Sequence, residues 1–230
     1  MNKPYLSIII PILNEIDQLE RLLNALKKNM IYKNEIIFVD GGSSDGSYEF
    51  LRKEGTCSVI QTEKGRARQQ NLGAKMASSH FLYFIHADTI PPYGFDKTIH
   101  KAFKQGYKAG CFRLKFLSSH LSLKLVSFAS RFNNKFCRGG DQSLFIKKKF
   151  FESLKGFNVE YLVCEDGELI DRIYKETLFC VLPKEVKTSA RRFENNGVLL
   201  LQFHFFMIHL LRHVGKPPST LYRYYLNFVK

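Results

Sequence analysis

The sequence predicts an α/β protein with a mostly parallel central sheet, flanking helices and an apolar helical segment at its C-terminal end. Short, β-branched apolar runs alternate with amphipathic helical patterns in the N-terminal part, and this alternation is typical of parallel sheets. The 230 residues contain no Ser/Gly/Pro-rich linker, so we expect one domain over residues 1–230. The run 198–213 is strongly apolar and helical in pattern, and it accounts for the C-terminal segment.

The N-terminal elements alternate between strand and helix. Residues 6–13 form a short apolar strand. One face of the helix after it is apolar, and this face comprises Ile16, Leu19, Leu22, Leu23 and Leu26. Further strands are predicted at 35–39, 58–61 and 81–85, and further helices at 47–53 and 66–77. Strands joined by helices in this way are expected to run parallel.

The periodicity weakens beyond Pro91 and Pro92. Strands are predicted there at 110–116, 143–147 and 178–182, and helices at 95–104, 165–175 and 198–213. The stretch 117–136 is apolar and basic, and its pattern predicts neither a helix nor a strand.

The apolar run 198–213 raises the question of membrane contact. It is shorter than the roughly 20 residues that span a bilayer, so we expect it not to cross one. One interpretation is a helix buried against the sheet or a partner subunit, which leaves a homodimer open. The other is a peripheral position at the inner face of an anionic membrane, shared with 117–136 and the tail 222–230.

The charge balance points to partners that carry phosphate. The chain has 35 Lys and Arg against 21 Asp and Glu, a formal charge of +14. This favours nucleic acid, anionic lipid or a nucleotide, although a solvated basic face gives the same count. A hydrophobic fraction of 45% excludes the disordered class. The five cysteines have no C-x-x-C spacing, and the run 6–13 lacks the features of a signal peptide. We therefore expect a reducing, cytoplasmic location without a zinc site.

Polar residues follow each N-terminal strand, where the ligands of open parallel sheets bind. After the first strand come Asn14 and Glu15. After the second comes Asp40, followed by Gly41 and Gly42, a loop that suits a nucleoside because glycine lets backbone approach a ligand. The same loop also fits a plain turn in which Ser44 or Asp45 caps the next helix and Asp40 binds nothing.

Two further strand ends carry charge. Arg66 and Arg68 lie at a predicted helix N-terminus, and Asn71 lies one turn further on. At such a position the guanidinium groups and the helix N–H groups could bind a diphosphate together. Both arginines equally fit a solvent-facing helix surface. His86 and Asp88 are two residues apart and leave their strand on the same side. The two side chains could bind one Mn²⁺ or Mg²⁺ ion together. Alternatively, Asp88 only caps a turn before Pro91 and binds no metal.

Five segments resemble those of family 2 glycosyltransferases and occur in the same order. They are residues 7–15, 39–46, 65–73, 86–88 and 164–168. The resemblance implies a GT-A (Rossmann-like) fold and an inverting, metal-dependent transferase that moves a sugar from a nucleotide diphosphate donor, expected to be a UDP-sugar, to an unidentified acceptor. It also implies a nucleotide-sugar-binding half at 1–92, an acceptor and catalytic half at 93–195 and a helical segment at 196–230.

The resemblance assigns the donor side of the site. It implies that Pro11, Asn14 and Glu15 line the nucleotide pocket and that Asp40 contacts the base. The family's D-x-D motif holds Mn²⁺ or Mg²⁺ beneath the diphosphate. Here His86 replaces the first aspartate, which leaves Asp88 as the main metal ligand. Either His86 itself binds Mn²⁺, or the site is a weaker, partly water-filled Mg²⁺ site.

The resemblance also assigns the acceptor side. Asp166 is expected to be the general base and Glu165 to orient it, although both equally fit an acidic first helical turn. The loop Gly140, Asp141 and Gln142 is expected to meet the acceptor. Arg191 or Arg192 either covers the diphosphate or forms a surface ion pair. The chain has no Trp, so the Gln-x-x-Arg-Trp motif of processive members is absent and polysaccharide synthesis is not expected.

Two rival functions stay open. One is transfer to a polyprenyl phosphate at a membrane surface, where a phosphate nucleophile needs little base catalysis. The other is a non-catalytic binder of nucleic acid or lipid, which the replacement at His86 keeps open. For the enzyme we expect no nucleic-acid partner.

Overall fold

A computed structural model describes residues 3–139 and 142–229. Within these ranges the chain forms one eight-stranded sheet with flanking helices, and the predicted α/β class is confirmed. The strands are β1 Ser7–Ile12, β2 Glu35–Asp40, β3 Ser58–Gln61, β4 Phe81–Phe84, β5 Thr89–Ile90, β6 Ala109–Leu117, β7 Leu144–Lys147 and β8 Phe179–Ser189. The helices are α1 Ile16–Asn29, α2 Ser47–Glu54, α3 Arg66–Met76, α4 Phe95–Lys104, α5 Leu121–Ala129, α6 Lys148–Ser153, α7 Glu165–Glu176, α8 Arg191–Asn196, α9 Val198–His213 and α10 Pro218–Phe228.

The sheet is parallel in one half and mixed in the other. Its strand order is β3-β2-β1-β4-β7-β6-β8-β5. The first four strands are parallel to one another, and so are β6 and β8. In contrast, β7 runs antiparallel to both of its neighbours, and β5 to β8. The expected mostly parallel sheet is therefore present, with its parallel strands concentrated in the first half. The antiparallel pairs of the second half were not predicted, because a strand's own sequence does not show the direction of its neighbours.

The strand order reverses between β1 and β4. β1 pairs with β2 along its whole length, from Ser7 to Ile12, but with β4 only as far as Ile9. Pro11 has no N–H to donate, and it lies where no β4 partner is present. The two strands separate there, and such a point of reversed order is where open α/β sheets bind ligands.

The core has two layers because alternate residues of a strand point to opposite faces. Ile8 and Ile10 of β1 pack in the layer that contains α1 and α4. Ile9, between them, packs in the layer that contains α3 and α7. All three are completely buried, which explains why β1 is a continuous apolar run.

The second half contains elements that periodicity did not predict. These are β5, α5, α6 and α8, whereas α10 lies within the helical segment expected at 196–230. In α5, Leu123 is buried whereas Leu121 and Leu125 are exposed. Both faces of this helix are apolar, so its pattern lacks the amphipathic signal. The predicted strand at 178–182 also continues to Ser189.

The apolar helix α9 packs Leu201 and Ile208 into the core. Among the helices of residues 3–139 and 142–229, none has the length and apolarity needed to cross a membrane.

Candidate functional site

The loops after β1 and β2 are locked together by hydrogen bonds at the strand ends. Ser44 donates its backbone N–H to Asn14 Oδ1 at 2.8 Å, and Asn14 N–H donates to Ser43 Oγ at 2.9 Å. Asp45 accepts from the Ile16 N–H at 3.0 Å. Asn14 has a left-handed φ of 56°, a conformation that non-glycine residues adopt rarely and that Asn tolerates best. These bonds fix one wall of the crevice that opens between β1 and β4.

Asp40 lies inside its own loop rather than at the surface of the crevice. Its carboxylate is fully buried and accepts from the backbone N–H groups of Gly42 and Ser43 and from Gln61 Nε2 at 3.2 Å. In this structure it therefore shapes the loop, and direct contact with a base stays a prediction. Gly42 has a φ of 90°, which strains any other residue, and a Cβ on Gly41 would lie 3.1 Å from Gln69 Nε2 and crowd that side chain.

Arg66, the first residue of α3, stands at the centre of the crevice. Its Nη1 lies 3.3 Å from Oε1 of Glu165, which is only 2% exposed. Its positive charge also acts on three titratable groups: it partly opposes the burial that raises the pKa values of Glu15 and Asp88, and it adds to the burial that lowers the pKa of His86. Three segments distant in sequence, at Glu15, at His86 and Asp88, and at Glu165, therefore converge on this one guanidinium.

The titratable groups around Arg66 are shifted mainly by burial. Burial raises the pKa of Glu15, and the neighbouring Asp88 carboxylate raises it further, whereas Arg191 and Arg66 lower it. Burial also raises the pKa of Asp88, against hydrogen bonds from the hydroxyl groups of Thr89 and Thr188. Burial, with Arg66 as the second cause, lowers the pKa of His86 to about 3. At neutral pH its imidazole is neutral, which is the form that binds metals.

The donor set of the crevice fits part of a divalent cation site. Glu15 Oε2 is buried without a hydrogen-bond partner within the described residues, and Asp88 is its anionic neighbour. No group of three His, Cys, Asp or Glu side chains in the part of the chain described here could hold a metal by itself. Mg²⁺ and Mn²⁺ sites commonly combine one or two carboxylates with substrate phosphates, and the residues present fit such a shared site.

The first turn of α7 carries two adjacent carboxylates, and one of them, Glu165, reaches the crevice. Cys164, just before it, has a left-handed φ of 60°, an observed strain of the kind that recurs at functional sites. Glu165 is buried, while Asp166 is partly exposed. The buried carboxylate is the ion-pair partner of Arg66, and the partly exposed one is its neighbour in the same helical turn.

Two residues predicted for the donor side make their contacts elsewhere. Arg68 forms an exposed ion pair with Glu63. Asn71 donates from Nδ2 to Phe157 O at 2.8 Å and accepts the Phe157 N–H at Oδ1 at 2.9 Å. Both ends of its amide are thus committed to the loop before α7, and these contacts give no support for a diphosphate role of either residue.

The two arginines at the start of α8 point in different directions. Arg191 Nη2 lies 3.9 Å from Glu15 Oε2 and so faces the crevice. Arg192 donates to Tyr225 OH at 2.7 Å and stacks on Phe205. Only Arg191 is placed to cover a ligand between β1 and β4.

The predicted acceptor loop is only partly described. Gly140 and Asp141 lie outside the described residues. Gln142 donates weakly to Cys137 O at 3.4 Å, and its Oε1 is 3.7 Å from Cys111 Sγ. These contacts place its amide beside β6, and they give no support for contact with an acceptor.

Comparison with known proteins identifies the family. A profile described as Glycosyl transferase family 2 matches residues 7–162, which is more than half of the chain. The chain belongs to glycosyl transferase family 2. Glycosyltransferase AglE of Haloferax volcanii is 30% identical over 96 residues, which are 38% of this chain and 32% of AglE. Poly-beta-1,6-N-acetyl-D-glucosamine synthase of Staphylococcus aureus is 29% identical over 135 residues, 54% of this chain and 33% of the synthase. This family 2 chain thus spans about a third of the length of these curated relatives.

Solved structures of low sequence identity share the fold of this family 2 chain. S. aureus TarS residues 1–349 with UDP superposes with a TM-score of 0.67 at 16% identity and covers 97% of this chain and 70% of the TarS chain. Mannosyltransferase PcManGT of Pyrobaculum calidifontis, in complex with GDP-Man and Mn²⁺, superposes with a TM-score of 0.63 at 19% identity. The match covers 91% of this chain and 65% of the PcManGT chain. The predicted GT-A fold is therefore confirmed.

One buried residue of this family 2 site was not predicted from the sequence. Gln69 is 4% exposed and donates from Nε2 to Ile12 O and to Val39 O, each at 2.7 Å. It therefore joins the ends of β1 and β2 beneath the crevice. A buried polar residue one helical turn after Arg66 was the available signal, because a buried amide requires partners.

Proposed function

We propose that this chain transfers a sugar with inversion from a nucleotide diphosphate, a UDP-sugar, to an acceptor hydroxyl. The observation that carries the proposal is the meeting of Glu15, Arg66, Asp88 and Glu165 in the crevice between β1 and β4. Structural neighbours support a nucleotide-sugar donor, since TarS was solved with UDP and UDP-GlcNAc and PcManGT with GDP-Man.

Arg66 and the N-terminus of α3 form the cationic side of the proposed donor site. The first turn of α3 contains no acidic residue, so the positive end of the helix and the Arg66 guanidinium act on a diphosphate with the same sign. The loops that carry Asn14 and Asp40 form the nucleoside end. Arg191 then closes over the phosphates from α8, exchanging its contact with Glu15 for one with the donor.

A divalent cation, Mn²⁺ or Mg²⁺, completes the proposed site. Asp88 and His86 would hold it together with donor phosphate oxygens, and when bound it would neutralise charge on the departing nucleoside diphosphate. The hydroxyl groups of Thr89 and Thr188 lie 3.3 and 3.4 Å from Asp88 Oδ1. These bonds orient the Asp88 carboxylate before any ligand arrives.

Asp166 is the proposed general base for the transfer step. The acceptor oxygen bonds to the anomeric carbon while the bond from that carbon to the donor phosphate breaks. The hydroxyl proton passes to Asp166, and the nucleoside diphosphate leaves with the electron pair. Glu165 keeps its ion pair with Arg66 and positions both the helix turn and the guanidinium.

A donor panel tests the proposal. UDP-sugars and GDP-sugars would be incubated with Mn²⁺ or Mg²⁺ and with glycan or lipid extracts, and release of the nucleoside diphosphate measured. We expect turnover with a UDP-sugar and a loss of about 10²–10⁴-fold in Asp166→Asn, the usual range for removal of a general base. The exposed Glu176→Gln at the other end of α7 is the matched control and should retain full activity.

The panel also separates the rival functions. A phosphate acceptor would leave Asp166→Asn nearly as active as the wild type with lipid extracts, and would overturn the role of this residue. Tight, salt-sensitive nucleic-acid binding without turnover of any nucleotide sugar would overturn the transferase function itself.

A further inference from the structure

Helix α9 is apolar on two opposite faces. Leu201 and Ile208 are buried in the core. A second set, spaced by three or four residues and hence on one side of a helix, is 43–65% exposed and comprises Leu199, Phe203, Phe206, Leu210 and Val214, the last just beyond the helix end. Solvent-exposed apolar stripes of this length are unusual on a monomer and mark interaction surfaces.

Helix α5 repeats the arrangement beside α9. Leu123 is buried, and Leu121, Leu125 and Phe128 form an exposed stripe with the same spacing. The exposed Phe136, in the short 3₁₀ helix Lys135–Cys137, contacts His213 at the end of α9 with ring centroids 4.8 Å apart and the rings tilted by 58°. Because α5 and α9 also contact each other directly, the two stripes belong to one surface, here called the apolar surface.

The segments that form the apolar surface contain no acidic residue. Residues 97–140 and 195–230 include no Asp or Glu at all. Exposed cations lie among the apolar side chains or next to them, namely Lys124 on α5, Lys216 after α9 and Arg223 on α10. Arg131, which lies over the Phe128 ring, pairs with Glu185 of β8, so one carboxylate borders the surface, but the segments that form it add only positive charge. Apolar side chains among such cations match the boundary between headgroups and acyl chains of an anionic membrane.

We propose that the apolar surface docks the protein on an anionic lipid bilayer, with α5 and α9 lying in the plane of the membrane. A second copy is the less favourable occupant, because a two-fold dimer places the same surface of each subunit against the other and would bring cation against cation. The inference is independent of the proposed sugar transfer.

Docking would place the crevice beside the membrane. Arg212 of α9 bonds to Asp171 of α7 at 2.6 Å and packs over Gly167, one residue after Asp166. Arg191, which faces the crevice, begins α8, and α8 leads directly through Gly197 into α9. The membrane-facing helices are thus attached to both proposed sides of the site.

Vesicle sedimentation of the full chain tests the proposal. The probes are vesicles of phosphatidylcholine alone and of phosphatidylcholine with phosphatidylglycerol. We expect binding to the anionic vesicles, a loss of about tenfold or more in Phe203→Ser with Phe206→Ser, and a loss of about fivefold per cation removed in Lys124→Gln with Lys216→Gln. Met76→Ser with Leu178→Ser, which alters exposed apolar residues outside these helices, should bind like the wild type.

A fluorescence arm keeps the test independent of folding defects. The chain has no Trp, so Phe206→Trp introduces a single reporter, and we expect its emission to shift to the blue with anionic vesicles. Met76→Trp, on the helix α3 that packs against the other face of the sheet, should not shift. No vesicle binding, equal losses in the control variant, or a dimer that dissociates in Phe203→Ser with Phe206→Ser would overturn the proposal.

Discussion

Arg66 and Arg68 show how two residues with the same side chain and nearly the same position acquire different environments. Arg66 pairs with the buried Glu165, whereas Arg68 pairs with the exposed Glu63. We expect Arg66→Ala to weaken UDP binding in the presence of Mn²⁺ by about tenfold to a hundredfold, the value of one or two charge-assisted hydrogen bonds.

Calorimetric titration with UDP and Mn²⁺ measures this difference. Arg68→Ala is the matched control, and its affinity should stay within about twofold of the wild type because exposed ion pairs contribute little. Equal losses in the two variants would contradict the central position of Arg66 in the crevice.

His209 on α9 makes stability depend on pH. Burial, with Arg212 as a smaller cause, lowers its pKa from 6.5 to about 4. Between these values the unfolded chain binds a proton that the folded protein does not, so the free energy of unfolding falls as the pH is lowered from 6.5 to 4. We expect His209→Gln to remove about 1–3 kcal/mol of this fall.

Denaturant unfolding at pH 7 and pH 4.5 measures the effect. The exposed His80→Gln should follow the wild-type pH dependence. An identical pH dependence in His209→Gln and His80→Gln would contradict the assignment to His209.

At the level of elements, the contact of α3 with the sheet depends on Gly73. A Cβ there would lie 2.5 Å from Ile9 Cγ2 and 3.1 Å from Val39 Cγ2. We expect Gly73→Ala to lower the free energy of unfolding by about 1–3 kcal/mol, because overpacking outweighs the higher helix propensity of Ala.

A double-mutant cycle isolates the clash. Ile9→Ala removes the closest atom, so Gly73→Ala should cost less in that background than in the wild type. Equal costs in the two backgrounds, measured by chemical denaturation, would show that the helix and sheet are further apart than described.

The first half of the fold could be predicted because each strand there is buried on both faces and each helix on one. β1, β2 and β3 were expected at 6–13, 35–39 and 58–61 and occur as Ser7–Ile12, Glu35–Asp40 and Ser58–Gln61. Helices α5 and α9 differ, since apolar residues occupy their exposed faces as well. The sequence pattern therefore predicted α9, which is long, but predicted neither a helix nor a strand where α5 occurs.

The site could be predicted at its strand ends and less well within its helices. Asn14, Glu15 and Asp88 follow strands, so the topology alone brings them together. The partners of Asn71 and Arg192 are Phe157 and Tyr225, which are 86 and 33 residues away in the chain. Contacts across such separations depend on packing that local sequence does not encode.

At the scale of the whole molecule, the formal charge of +14 includes cations at two proposed sites with different functions. Arg66 and Arg191 belong to the crevice, while Lys124 and Lys216 belong to the apolar surface. Raised salt should weaken vesicle binding strongly, since exposed charges are screened within about 10 Å at 0.1 M ionic strength. UDP binding with Mn²⁺ should weaken less, because Arg66 acts beside buried groups.

The two responses can be compared in one salt series by vesicle sedimentation and calorimetric UDP titration. A steeper salt dependence for UDP than for vesicles would contradict this division of the charge.

The central claim is that the ends of β1 and β4 hold a nucleotide diphosphate and its cation, and paramagnetic NMR tests it most directly. UDP with Mn²⁺ would be added to isotope-labelled protein, with UDP and Mg²⁺ as the diamagnetic reference. We expect amide signals of Glu15, Arg66, Asp88 and Asp166 to broaden first, and Asp88→Asn to abolish the effect. Broadening confined to another surface, or unchanged in Asp88→Asn, would contradict the account.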